Sequence, residues 1–301
     1  MLDISKAFDN VDHAKLFQQL LDAGLPPGIV ELLAVWYGGS YACVRWQMCL
    51  SACYNLTVGV RQGGVLSPVL FNVYVNSVLL RLQQSNYGCV IGSQFLGCIM
   101  YADDLLLLCP SICGLRKMLN ICIEEFSHLN LTLNVKKSCI LRFGARYMRN
   151  CGEVQFDGGA IQFVDKAKYL GVMLKVGRQF GVDLQYMKSN FYRSFNTVFH
   201  RVAKFHSELV ILQLVTSFCQ PYLLYCTECL GLTMTQTRSI YHTWQCAMSL
   251  IFNITGPDVT LVCDYTGSFY DRMMCRKDNF YNSLRSVNND VIHFVRSVCT
   301  N

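Results

Sequence analysis

Residues 97–110 read GCIMYADDLLLLCP. Asp103 and Asp104 stand between Ile99, Met100, Tyr101 and Ala102 on one side and four leucines at 105–108 on the other. Carboxylates are almost never fully buried unless they are paired or bound to a cation. The flanks therefore read as two strands of a sheet, with the aspartates at the solvent-facing turn between them. Side chains alternate faces along a strand, but at a tight turn both can reach one site. Adjacent like charges raise each other's pKa unless a cation neutralises them. Magnesium is the usual partner for such oxygen ligands, with phosphate oxygens completing its shell. Two such ions about 4 Å apart can clamp the attacking and leaving oxygens of a phosphoryl transfer. Asp3, at a strand-like position before a turn, is the candidate third carboxylate. On the dipeptide alone, a hairpin turn with two solvated aspartates is the plainer explanation, and the other motifs in fixed order change that.

Working outward, a helix is expected from about Asp12 to Gly24, with Pro27 opening the next. Residues 41–60 are rich in β-branched and aromatic residues and read as a hairpin. Ser67 is a natural N-cap and Pro68 a natural first helical residue for a helix to about Gln83. Leu70, Phe71, Tyr74, Val75 and Val78 fall on one face of it. An amphipathic helix follows the aspartates, then short strands with an Asp-Gly turn between Phe156 and Gly159. After Lys175 the pattern is helical to the end. The boundary falls near residue 178, mixed α+β before it and all-α after it.

The chain has 301 residues, 52% of them hydrophobic and 15% charged, which argues against disorder. Its seventeen cysteines are odd in number and irregularly spaced, and Met1 opens no signal peptide. They read as mostly free, buried thiols of a reducing compartment, so an intracellular protein of nucleus or cytoplasm rather than a secreted one is expected. Cys226 and Cys229 form a C-x-x-C, but no second pair completes a zinc site. The uncharged windows 62–80 and 209–227 carry too many polar residues for membrane spans and read as buried helices. Net charge is +6. Thirteen Lys/Arg against four acids give residues 136–204 an excess of +9 and leave −3 for the rest. Such a segment suits a polyanion, most simply nucleic acid, although a solvated basic face has the same composition.

Five blocks occur in order: LDISKAFDNVDH (2–13), GVRQGGVLSPVLFNVYVN (59–76), YADD (101–104), LNVKKS (133–138) and YLGVML (169–174). Together they resemble reverse transcriptases of the non-LTR retrotransposon type, the long interspersed elements. QPYLLYCTECLGLT at 220–233 resembles a segment that these elements carry in and beyond the thumb. The likeness covers roughly residues 1–255.

The resemblance implies an α+β polymerase palm over 1–178 with the fingers missing. It implies a thumb-like helical region over 179–255, followed by a helical tail, 256–301, with no assigned role. It implies an RNA-directed DNA polymerase that uses an RNA template, a DNA primer, deoxynucleoside triphosphates and two magnesium ions, manganese being possible. Asp3, Asp103 and Asp104 match the catalytic aspartates, and the Ile4 carbonyl touches one metal. Asp9 is the tempting wrong choice and fits a hydrogen-bonding helix-start residue. Phe8 matches the steric gate against a 2′-hydroxyl, although a core phenylalanine would look the same. Arg61, Gln62 and Gly63 match the nucleotide-binding loop; an ordinary turn into a helix is the alternative, which the length of the match, GVRQGGVLSP and on into FNVYVN, disfavours. Lys137, favoured over Lys136 by the order Asn134, Lys137, Ser138, matches a general acid for the leaving pyrophosphate, and a solvated lysine pair is the alternative. Tyr169, Leu170 and Gly171 match the hairpin that grips the primer end. Lys188, Arg193, Arg201 and Lys204 lie along one expected helix that suits phosphate contacts. Family members begin well before Asp3, so this chain is expected to be a fragment whose sheet under Asp3 lacks an edge. A non-catalytic nucleic-acid-binding remnant is the alternative reading, and a group II intron or telomerase type a more distant one.

Overall fold

The computed structural model describes residues 1–149, 151–156, 159–202, 207–289 and 292. Helix and sheet are mixed, and the chain divides into two compact units. The first comprises Met1–Leu141 and Met148–Val164; the second, Arg142–Tyr147 and Asp165–Asn301. Compactness thus groups the strands that follow residue 164 with the helices, ahead of the boundary near 178 read from the sequence.

In the first unit the strands are β1 (Leu2–Asp3), β2 (Tyr41–Ala42), β3 (Arg45–Trp46), β4 (Cys49–Leu50), β5 (Tyr54–Asn55), β6 (Val90–Ile91), β7 (Gln94–Phe95), β8 (Cys98–Tyr101), β9 (Asp104–Leu107), β10 (Cys139–Ile140), β11 (Val154–Phe156) and β12 (Gly159–Phe163). Its helices are α1 (His13–Asp22), α2 (Pro27–Gly38), α3 (Ser67–Gln84) and α4 (Ile112–His128). The sheet that matters most has the order β1-β9-β8, antiparallel throughout. A second sheet, β10-β12-β11, includes the parallel pair β10–β12. Helix α3 buries Leu70, Phe71, Tyr74, Val75, Val78 and Leu82 in one core with Leu105 of β9 and Met118 and Phe126 of α4. Full burial of such side chains contributes about 1.5–3 kcal/mol each. α1 begins where expected, and Asp12 caps it, its carboxylate accepting from the Lys15 N–H at 3.1 Å.

Ser67 does not cap α3. It is the first residue of the helix, and its hydroxyl donates back to the Arg61 carbonyl. The tight loop before the helix offers that acceptor first. Residues 41–58 form the expected hairpin, but it is exposed on both faces, with Trp46 75% and Met48 92% open to solvent.

The second unit contains β13 (Lys166–Tyr169), β14 (Val172–Lys175), β15 (Gly181–Val182), α5 (Leu184–Val202), α6 (Glu208–Phe218), α7 (Gln220–Leu224), α8 (Met234–Phe252), α9 (Pro257–Tyr265) and α10 (Phe269–Ser286). Its core joins Phe191 and Phe195 of α5 to Val215, Leu223, Trp244 and Phe269. The helical pattern does not begin at Lys175: β15 returns to pair with β14, Lys175 facing Gly181. Two residues of strand leave too little periodicity to be read from the sequence.

Among the described residues no single helix is long and apolar enough to cross a membrane. The bent pair Met234–Phe252 and Pro257–Tyr265 passes by length and composition only. Among the described residues no cysteine forms a disulfide, but only Cys122, Cys219 and Cys263 are buried, against the expectation of mostly buried thiols. Cys43, Cys49 and Cys53 lie in the exposed 41–58 hairpin, and Cys113, Cys229 and Cys275 are exposed elsewhere. The expected Asp-Gly turn at 157–158 lies outside the described residues.

Candidate active site

The aspartate pair is a hairpin turn. Tyr101 of β8 faces Asp104 of β9, and only Ala102 and Asp103 connect them. Ala102 has φ +52°, the hand that fits a two-residue hairpin to the twist of its strands. Such a φ is strained for a residue with a Cβ. On the other side of β9, Asp3 of β1 faces Asp104 directly. Residues opposite each other in an antiparallel pair project to one face, with Cβ atoms roughly 4.5–5.5 Å apart. Burial first, then the charges of Asp103 and Asp3, push the Asp104 carboxyl above its ordinary range. The three aspartates thus share one electrostatic neighbourhood. They do not close into a cage: among the described residues no three His, Cys, Asp or Glu side chains gather tightly enough to hold an ion by themselves. Asp103 belongs to the turn rather than to the ladder that sets Asp3 against Asp104.

β1 is paired on both edges, so the sheet under Asp3 does not lack an edge as expected. β9 lies on one side and residues 132–139 on the other. The Asn134 N–H donates to the Asp3 carbonyl at 2.8 Å and the Ser5 N–H to the Thr132 carbonyl at 2.8 Å, while Ile4 bridges Leu133. Buried Ser138 accepts the Asp3 N–H at 3.1 Å and donates to the Asn134 carbonyl at 2.8 Å. Ser138 is therefore a positioning residue for Asp3. Sequence reasoning used it only as a motif letter, although its place one residue after Lys137 was the available signal. Lys137 lies with Nζ 3.9 Å from Asp3 Oδ2, its side chain 71% exposed.

Phe8 and the loop before α3 meet through the backbone. The Val60 N–H donates to the Phe8 carbonyl and the Gly59 N–H to the Val11 carbonyl, each at 2.7 Å. Phe8 is half-buried and stacks on Phe71 of α3, centroids 4.7 Å apart. The Gln62 amide donates to Asp9 Oδ1 at 3.0 Å. Arg61, Gln62 and Gly63 are exposed, and Gly63 has φ +80°. A Cβ on Gly64 would lie 2.7 Å from Ser67 Oγ.

In the second unit, Leu170 and Gly171 make the two-residue turn between β13 and β14, with φ +43° and +84°. Tyr225 holds that turn: its hydroxyl donates to the Leu170 carbonyl at 2.8 Å, and its ring stands 3.0 Å from where a Gly171 Cβ would be. The basic helix is less uniform than expected. Lys188 is half-buried and donates to Ser239 Oγ of α8, so it leaves the exposed stripe of Arg193 and Arg201. Five residues on a helix turn a side chain by about 140°, which separates Lys188 from Arg193. Lys204 lies outside the described residues.

An α+β chain with facing aspartates on a small antiparallel sheet, beside a glycine loop that opens a buried helix, defines the class in which the comparisons fall. The family described as "Reverse transcriptase (RNA-dependent DNA polymerase)" matches residues 1–174. A Retrovirus-related Pol polyprotein from the type-2 retrotransposable element R2DM of Drosophila melanogaster is 29% identical over 179 residues, covering 57% of this chain and 17% of that protein. The corresponding polyprotein from the type-1 element R2 of Nasonia vitripennis is 34% identical over 120 residues, covering 40% and 12%. The RNA-directed DNA polymerase from mobile element jockey of Drosophila funebris is 28% identical over 179 residues, covering 58% and 19%. The chain matches less than a fifth of the length of these relatives.

The chain belongs to the reverse transcriptase family. Within it, the likeness is to the non-LTR retrotransposon domains, as the order of the motifs implied.

Proposed function

We propose that this chain is the polymerase portion of a retrotransposable element and extends a DNA primer with deoxynucleotides on an RNA template. The observation that carries the reading is the register of Asp3 against Asp104, with Asp103 in the adjoining turn. Residues 1–178 act as palm and 179–255 as a thumb-like region, with 256–301 as a helical tail. The donors fit a hard divalent cation: they are oxygens only, and burial, then the charges of Asp103 and Asp3, have raised Asp104, a penalty that positive charge relieves. Asp3, Asp103, Asp104 and the Ile4 carbonyl would hold two magnesium ions, or manganese in their place. When bound, these ions supply charge neutralisation at the triphosphate oxygens.

The chain's own groups supply the rest. The primer 3′-hydroxyl releases its proton to solvent as its oxygen bonds to the α-phosphorus, the bond from that phosphorus to pyrophosphate breaks, and Lys137 gives its proton to that leaving group. Its place 3.9 Å from Asp3 supports this role. Phe8, braced by Phe71, stands against a 2′-hydroxyl. Arg61, Gln62 and Gly63 receive the nucleotide. Tyr169, Leu170 and Gly171 steady the primer end, while Arg193 and Arg201 contact backbone phosphates.

Primer extension on an RNA template, with Asp103→Asn beside the parent chain, tests the proposal. Asparagine keeps the shape and removes a full charge. The expected loss is at least about 10³-fold, roughly 4 kcal/mol of barrier. Mn²⁺ broadening should centre on Asp3, Asp103 and Asp104. Equal extension by both proteins sinks the assignment. Duplex binding with Mn²⁺ broadening but no extension from either leaves a binding remnant instead.

A further inference from the structure

Just beyond α7, residues 226–229 read Cys-Thr-Glu-Cys, the C-x-x-C that the polymerase chemistry leaves unused. The four residues form a turn, closed by the Cys229 N–H donating to the Cys226 carbonyl at 3.1 Å. A turn of this kind brings its end Cα atoms within about 7 Å. A disulfide spans roughly 4.4–6.8 Å between Cα atoms. The thiols already meet, each within hydrogen-bonding reach of the other. The residues between them are anchored. Thr227 is buried, and its hydroxyl donates to the Leu224 carbonyl at 2.9 Å. Glu228 pairs with Arg276 of α10 at 2.8 Å. Cys226 has φ +60°, a hand that a residue with a Cβ keeps only where its surroundings impose it. Among the described residues no third metal-binding side chain completes a site with the pair. Desolvation is the first cause that pushes both thiols above their ordinary range. Such thiols leave slowly, so a disulfide between them is slow to reopen. The Cys226 thiol also reaches the Tyr225 hydroxyl. That hydroxyl donates to the Leu170 carbonyl in the turn between β13 and β14.

We propose that Cys226 and Cys229 are a redox-active dithiol, closed by exchange with a small-molecule disulfide, and that its state reaches the Leu170–Gly171 turn through Tyr225. Cys229 is exposed and attacks first; half-buried Cys226 resolves. Cys229 loses its proton to solvent, and its sulfur bonds to one sulfur of the oxidant, whose S–S bond breaks. The departing thiolate takes a proton from solvent. Cys226 then loses its proton and attacks the Cys229 sulfur, and the second thiolate leaves and is protonated. The protein gives up two hydrogens, and the oxidant becomes two thiols. Closing the bond to about 2.05 Å draws the Cys226 sulfur toward Cys229 and removes the thiol hydrogen beside Tyr225. The dithiol needs no nucleic acid for this step.

The test treats the reduced full chain with oxidised glutathione, blocks the remaining thiols by alkylation and weighs the peptides. The peptide holding residues 226–229 should lose two hydrogens and keep no glutathione. Cys226→Ser should instead keep one glutathione on Cys229. In ¹H–¹⁵N spectra the Leu170 and Gly171 amides should shift when the parent chain is oxidised and return with dithiothreitol. Tyr225→Phe should remove that shift and leave closure intact. Glutathione held on both cysteines of the parent chain, alkylation of both, or a bond from either to a different cysteine overturns the dithiol. A closed pair with Leu170 and Gly171 unmoved overturns the link through Tyr225.

Discussion

Asp104 bears the strain of the carboxylate cluster. Its folded pKa is raised, chiefly by burial and then by Asp103 and Asp3. The folded state therefore holds this proton more tightly than the unfolded chain does. Stability from this group is greatest at acid pH, below the unfolded value. It declines as pH rises through the folded value and stays lower at neutrality. Asp104→Asn should then stabilise the fold at pH 7 and make no difference near pH 3, as read by urea midpoints. The gain should be at most about 1 kcal/mol, because solvent screens much of the repulsion. A variant less stable at pH 7 would mean that Asp104 makes a favourable contact outweighing its neighbours' charge. Phe8 calls for a gentler substitution than alanine, since its ring also braces α3 through Phe71. Phe8→Leu keeps apolar bulk there and removes the flat ring. Ribonucleotide incorporation should rise relative to deoxynucleotide, and an unchanged ratio would remove the gate assignment.

The loop before α3 crosses the Phe8 turn at close quarters. A Cβ on Gly59 would lie 2.8 Å from the Asp9 carbonyl oxygen, at a backbone φ of +89°. Gly63 shares the positive φ, at +80°, but its Cβ would meet open space. Gly59→Ala should cost more than about 2 kcal/mol, and Gly63→Ala only about 1, in urea unfolding. Equal losses would show that close approach contributes nothing beyond the dihedral. The same contrast explains what could be read in advance. The aspartate hairpin, the start of α1 near Asp12 and the proline start of α2 are local, and local chemistry specifies them. Ser67 failed as a cap because an acceptor six residues upstream, the Arg61 carbonyl, captured its hydroxyl. Lys188 left the basic stripe because Ser239, on another helix, captured its ammonium. Neither partner is visible in a window of neighbouring residues.

Across the molecule, composition foretold cores but not where the apolar surplus would go. Each unit buries its own cluster. Yet Leu32 and Val35 of α2 and Val65 before α3 are 67%, 71% and 93% exposed. The excess of positive charge over 136–204 is distributed over both units, from Lys137 beside Asp3 to Arg193 on α5. The order of motifs carried the family assignment, and it could do so without geometry because each block is contiguous. The pairing of Asp3 with Asp104 spans a hundred residues of chain and needed the fold.

The hairpin at 41–58 lies between those two aspartates in sequence and is exposed on both faces. An isolated two-stranded ribbon is only marginally stable in water. A protease nick between Trp46 and Cys49 would therefore divide the chain at little expense to the core. One piece would carry Asp3 and the other Asp103 and Asp104, with the β1–β9 ladder as their seam. The carboxylate cluster would then be a split one, its concentration set by mixing two halves, neither of which carries all three carboxylates.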